Sequence, residues 1–215
     1  MMINISLISE SAICCTLPPP AALDKQQRLW VFADRIGQLA ETAEVVVGMN
    51  NLTVFIQGGT DIRRFSDGLP KLWQQTQAGN HKGKHIDIPV YYGGEYGPDL
   101  AEVAAYHSTG IREIVKRHTE PLYTVFMMGF QPGFPYLGGL PKHLHTPRRD
   151  NPRTSLPAGS VGIGGVQTGI YPFASPGGWQ IIGRTETALF RADLYPPTLL
   201  AAGDTVRFVA ERIEA

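Results

Sequence analysis

GFQPGFPYLGGLPKHLHTPRRDNPRTSLPAGSVGIGGVQTGIYPFASPGGWQIIGRT, residues 129–185, holds 12 of the chain's 24 glycines and 8 of its 17 prolines in about a quarter of its length. Ordinary turns do not need that density. Glycine lets a backbone approach a ligand and reach positive φ, and proline fixes φ and limits loop entropy. Together they describe rigid, shaped loops of the kind that build binding sites on a barrel. Tight barrel corners are the competing use for the glycines. In and around this stretch lie short apolar runs with turn signals: Ile86–Tyr92, Tyr123–Met128, Val161–Val166, Trp179–Ile182, Ala188–Phe190 and Thr205–Val209. Many short strands with Gly/Pro turns predict a mainly β barrel or sandwich for residues 85–215. Two short helices, Asp99–His107 and Ile111–His118, interrupt the strands.

Residues 1–80 read differently. Ile3, Ile5 and Leu7 alternate, and Ile13–Leu17 can pair back on them. A helix from Asp24 places Leu29, Phe32, Ala33, Ile36 and Leu39 on one face. Two β-branched runs, Glu44–Val47 and Leu52–Ile56, flank the turn Met49-Asn50-Asn51. A second helix from Asp61 carries Ile62, Phe65, Leu69 and Leu72, with Gly68 and Pro70 expected to break it. The order β-β-α-β-β-α predicts a small α+β sandwich. The polar stretch 77–84 (QAGNHKGK) is the expected boundary.

Formal net charge is zero, so no global field draws the molecule to nucleic acid or a membrane. A helix-turn-helix over Asp99–His118, with Arg112, Lys116 and Arg117 on its second helix, is a weak reading in a β-rich context. No apolar run is long enough to span a bilayer, and the N-terminus lacks a signal peptide's basic and apolar regions. Cys14 and Cys15 are adjacent, which suits neither a structural disulfide nor a metal site. A cytoplasmic location is expected.

Charge narrows the search. Residues 129–185 contain Lys142, Arg148, Arg149, Arg153 and Arg184 against one acid, Asp150. Arginine's planar fork suits carboxylate and phosphate. Arg148 and Arg153, each after a proline that holds the local backbone, are the candidates for an anion; Arg149 reads as solvated. His143 and His145, two apart, would share a face of a strand. No third ligand stands at metal spacing, so no metal is expected. His145 is a candidate for hydrogen bonding or proton transfer. Gln167, Thr168 and Tyr171 offer oriented hydrogen bonds. Phe134 and Trp179 are candidate pocket walls. Asp99 fits a helix N-cap, a catalytic carboxylate, or both. GIGG at 162–165 lacks the Lys and Ser/Thr of a phosphate loop.

YGGEYGPDL (92–100), GFQPGFPYLGGLP (129–141), TPRRDNPR (146–153), LPAGSVGIGGVQTGIYP (156–172), SPGGWQIIGRT (175–185) and GDTVRF (203–208) resemble the family of 5-oxoprolinase B subunits, also called the KipI or allophanate hydrolase subunit 1 family. The match is dense from Ile86 to Phe208 and looser before it, chiefly at GMNNLTVFI (48–56). The resemblance implies a cyclophilin-like barrel behind a small α+β domain. It implies the A and C subunits of 5-oxoprolinase as partners, and cleavage of 5-oxoproline to L-glutamate with ATP as co-substrate. The B and C subunits resemble the paired halves of the carboxyltransferase region of urea carboxylase. Phosphorylation of the lactam oxygen by the B/C pair would activate the ring for opening by water. In that scheme Arg148 and Arg153 bind anion, Gln167 and Tyr171 orient the lactam, and His145 or Asp99 moves protons. Two other readings stay open: an inhibitor of a sensor histidine kinase, and half of a urea- or allophanate-processing unit.

Overall fold

The computed structural model describes residues 2–79 and 83–214. The chain divides into two compact units, residues 1–81 and 82–215. Residues 80–82 of the expected boundary lie outside the described residues.

The first unit runs β1 (Asn4–Leu7), β2 (Ala12–Thr16), α1 (Leu23–Gly37), β3 (Thr42–Val47), β4 (Asn51–Ile56) and α2 (Ile62–Gln74). The strands form an antiparallel sheet in the order β1-β2-β4-β3. Alternation puts Ile13, Cys15, Leu52, Val54 and Ile56 on the buried face. There they meet Leu29, Phe32, Ala33 and Ile36 of α1 and Leu69 and Trp73 of α2. Leu39, expected on the α1 stripe, follows the helix and is exposed. Asp61 caps α2, its carboxylate accepting from the backbone N–H groups of Arg63 and Arg64. The break expected at Gly68 and Pro70 is absent, and α2 runs through both residues. Its stripe of Leu69 and Trp73 is fully packed, and that burial outweighs one missing backbone hydrogen bond.

The second unit contains β5 (His85–Gly93), α3 (Leu100–Tyr106), α4 (Ile111–Thr119), β6 (Tyr123–Met128), β7 (Pro135–Gly138), β8 (Arg153–Leu156), β9 (Ser160–Gly164), β10 (Gln167–Ile170), β11 (Ser175–Gly177), β12 (Gln180–Arg184) and β13 (Thr205–Glu214). Seven strands close a barrel in the order β10-β7-β6-β13-β5-β12-β9, and β8 and β11 form a separate ribbon. All barrel pairings are antiparallel except β13 with β5. Val90, Tyr92, Val125, Leu137, Ile163 and Phe208 fill the barrel core, and Val103, Ala104, Ile114 and Val115 of the two helices pack into the same cluster. The chain is thus mixed α/β and mostly β, with a seven-stranded barrel.

Three local expectations change. Ala188–Phe190 is no strand and makes only an isolated bridge, Phe190 to Thr198. His143 sits in a single 3-10 turn, Lys142–Leu144, so the two histidines do not share a strand face; Leu144 N–H donates to the Pro141 carbonyl and closes the turn. The glycine-rich stretch contributes to the barrel not only β9 and β12, at the expected runs Val161–Val166 and Trp179–Ile182, but also β7 and β10. Glycine is needed there for room: a Cβ on Gly164 would strike the Trp179 ring, and one on Gly169 would meet the Pro135 carbonyl and press on Trp179 and Phe134.

Candidate active site

Packing over those glycines produces an aromatic cluster. Phe134, Tyr171 and Trp179 are buried together with Leu156 and Ile181. Phe134 sits at the centre, its ring 5.1 Å from Tyr171, 5.6 Å from Trp179 and 4.8 Å from Tyr136, mostly edge to face. That arrangement is the favoured one for aromatic pairs. The rings wall a cleft of about 220 Å³ between Phe130, Pro152 and Gly177. The Arg148 guanidinium stands at its rim, 5.9 Å from the Trp179 ring centre. Arg148 is exposed and, among the described residues, carries no salt bridge. Burial pushes the Tyr171 hydroxyl up to about 12, against the opposing pull of the Arg148 charge, and burial also raises that of Tyr136. Both cleft tyrosines therefore stay protonated donors at neutral pH.

Arg148 also lines a second, more polar cleft of about 430 Å³ with Glu102, Tyr106, Arg149, Asp150 and Gln180. The two clefts therefore meet at one free guanidinium.

Next to Arg148 in the chain, Arg149 joins an ion network centred on a buried carboxylate. Asp99 is 1% exposed. Its Oδ1 accepts from Arg149 Nη1 at 2.6 Å and Arg153 Nη2 at 2.7 Å, and its Oδ2 accepts from Arg153 Nη1 at 2.7 Å and Ile181 N–H at 2.7 Å. Four donors occupy the carboxylate's four acceptor positions. The Asp99 N–H donates in turn to the Ile181 carbonyl. Asp99 is the residue before α3, but its side chain makes no capping hydrogen bond. The two residues expected to act separately, Asp99 on protons and Arg153 on an anion, are bound to each other. Arg149, read from sequence as solvated, is the second arm of this network.

The remaining candidates are dispersed. His145 donates from Nε2 to the Leu140 carbonyl, 3.1 Å away, and neither cleft's lining includes it. Gln167, on β10, also lies outside both linings, and its buried Nε2 finds no partner among the described residues. Thr168 points into the barrel, where it joins a chain that sequence reading missed. Its hydroxyl donates to the Gly162 carbonyl at 2.9 Å, so its oxygen accepts from His118 Nε2 at 2.9 Å. His118 Nδ1 must then be the bare nitrogen and accepts from the Tyr92 hydroxyl at 2.8 Å. Stacked on Phe208 and fully buried, His118 has its pKa lowered by desolvation to about 3. It is neutral and structural. Among the described residues no group of His, Cys, Asp and Glu gathers as metal ligands.

The fold and the site define a barrel domain with an exposed arginine at the rim of an aromatic cleft. The family model "Carboxyltransferase domain, subdomain C and D" matches residues 3–200. A protein from Haemophilus influenzae, named as the B subunit of 5-oxoprolinase, is 57% identical over 211 residues, covering 98% of this chain and 99% of the relative. An Escherichia coli O157:H7 protein of the same name is 46% identical, covering 96% and 95%. The Kluyveromyces lactis urea carboxylase structure superposes with a TM-score of 0.78 over 97% of this chain and 22% of its own; at 19% identity that is a likeness of fold alone. The chain belongs to the carboxyltransferase subdomain C and D family and, within it, to the 5-oxoprolinase B subunits.

Proposed function

We propose that this chain is the B subunit of an ATP-dependent 5-oxoprolinase, a hydrolase that opens 5-oxoproline to L-glutamate together with its A and C subunits. The observation that carries the reading is the 57% identity, end to end, with a relative bearing that name. In this reading residues 1–80 are an α+β domain, residues 85–215 are a cyclophilin-like barrel domain, and the complex is cytoplasmic. The two free cysteines, Cys14 and Cys15, suit that reducing compartment.

Amide resonance protects the lactam from water. Transfer of a phosphoryl group from ATP to the lactam oxygen, with release of ADP and the N–H proton, replaces the amide by a C=N bond. On the A subunit water adds across that bond, the carbon expels the protonated nitrogen to leave an acyl phosphate, and a second water releases phosphate and L-glutamate. The phosphoryl transfer requires a site that holds a small flat ring, a carboxylate and phosphate oxygens. The aromatic cleft is sized for the ring, and Arg148 at its rim takes the carboxylate. Tyr171 orients the lactam from the wall formed with Phe134 and Trp179. His145 and Gln167 act from outside this cleft, where the C subunit completes the site. Asp99 and Arg153 shape the site rather than touch its ligands.

The test is ATP-dependent glutamate release from 5-oxoproline in a reconstituted three-component assay, omitting each of the A, B and C subunits in turn. Release should stop without this chain, and Arg148→Ala should raise KM for 5-oxoproline on the order of tenfold or more, as for loss of a charge-assisted contact. Undiminished release without this chain refutes the reading.

A further inference from the structure

The segment that carries Arg148 is held on both sides of Arg148. Thr146 exchanges both backbone hydrogen bonds with Gly165. The Pro147 carbonyl accepts from Gln180 Nε2 at 3.1 Å. Arg149 N–H donates to the Gly178 carbonyl at 2.8 Å. The side chains of Arg149 and Arg153, on either side of the turn at Asp150–Pro152, both end on Asp99. Asp99 is tied in both directions to Ile181, two residues beyond Trp179. One buried carboxylate therefore references two things to each other: the loop that presents the free guanidinium and the strand that presents the ring it stands over.

We propose that Asp99 is a positioning residue for anion binding: through Arg149 and Arg153 it fixes Arg148 at the rim of the aromatic cleft. This rests on the reading of Arg148 as the group that binds the substrate carboxylate. The logic is one of freedom. A surface arginine samples many rotamers and many loop positions. Pinning the backbone on both flanks removes the loop's share of that freedom, so binding orders only one side chain. The two flanking arginines are already bound to Asp99, and Arg148 is the arginine of this segment without a carboxylate partner among the described residues. Misplacement of a positioned group by about 1 Å can cost on the order of a hundredfold.

The informative substitution is Asp99→Asn. It conserves shape but turns one acceptor oxygen into an NH2 donor that must face an arginine N–H or the Ile181 N–H. The experiment measures KM and kcat for 5-oxoproline in the reconstituted complex for Asp99→Asn, Arg148→Ala and the double variant, with assembly checked by gel filtration. The expected result is a KM raised about tenfold or more in Asp99→Asn, with kcat changed less than about threefold. The double variant should bind no worse than Arg148→Ala alone, because Asp99 acts only through Arg148. A normal KM in Asp99→Asn, or effects that multiply in the double variant, overturns the proposal while leaving the role of Arg148 intact. A normal KM in Arg148→Ala overturns the reading beneath it, and the proposal with it. Should Asp99→Asn fail to assemble, Arg153→Lys carries the same test. It keeps the charge, loses the two-pronged contact, and should raise KM by a smaller factor; an unchanged KM there overturns the proposal as well.

Discussion

Lowering the pH should unlock the barrel through a single histidine. His118 is buried and stacked on Phe208, and it accepts from Tyr92 at Nδ1 while donating to Thr168 at Nε2. Protonation would place a second donor against the Tyr92 hydroxyl and a charge in an apolar core. The folded-state pKa of about 3 lies below the unfolded value near 6.5. The stabilisation is therefore fully present above about pH 6.5 and is lost as pH falls toward 3. One proton contributes about 1.4 kcal/mol per pH unit, so between pH 7.5 and 4.5 the loss is about 3 kcal/mol. The assay is urea unfolding at half-unit pH steps, comparing the native sequence with His118→Phe. The phenyl ring keeps the stack but leaves the Tyr92 hydroxyl without its acceptor, at a cost of about 1–3 kcal/mol near neutrality. The variant should start less stable and decline more slowly, so that the gap closes by about pH 4.5. Carboxylates titrate equally in both proteins and cancel in the difference. Parallel curves over that range would refute the neutral, proton-excluding role assigned to His118.

Two further outcomes follow from packing. Gly164→Ala puts a methyl group into the Trp179 ring, and it should destabilise the barrel unit by about 1–3 kcal/mol and change the tryptophan fluorescence of the folded state; unchanged stability and emission would remove the argument that this glycine exists to seat the ring. Cys15 is buried, and desolvation, with a smaller contribution from Cys14, pushes its thiol up to about 12. A thiol reagent at pH 8 should therefore label one cysteine, Cys14, in the folded protein and both in urea, as read by mass spectrometry.

The parts of the fold visible in the sequence are those with uninterrupted apolar pattern. Tyr123–Met128 reads as a strand from its composition and is β6 with the same ends. The α1 stripe reads from Leu29, Phe32, Ala33 and Ile36 because a helix repeats its face every three to four residues. Strands β7 and β10 do not read this way. Gly138 and Gly169 occupy positions where β-branched residues would be expected, since aromatic rings elsewhere in the chain lie over them. The same composition that signals loops thus also describes a sheet that carries rings on its surface. At the site, Arg148 emerged from counting charges. Its supporting network did not, because Asp99 lies 50 residues from Arg149 and 54 from Arg153 and no local pattern links them. An arginine pair four apart looks the same whether it faces water or a buried carboxylate. His118 was hidden for a similar reason, since its partners come from β5 and β10.

The parallel pairing of β13 with β5 bears on how this protein is made. Thr205 lies opposite His85, 120 residues earlier, and β13 separates β5 from β6 in the closed ring. During synthesis β5 and β6 leave the ribosome early, and each must wait with an unpaired edge until β13 follows. Everything that forms the aromatic cleft and the Asp99 network is translated within that interval. Closure of the ring thus depends on pairings made across about half the chain's length, a topology that slows folding.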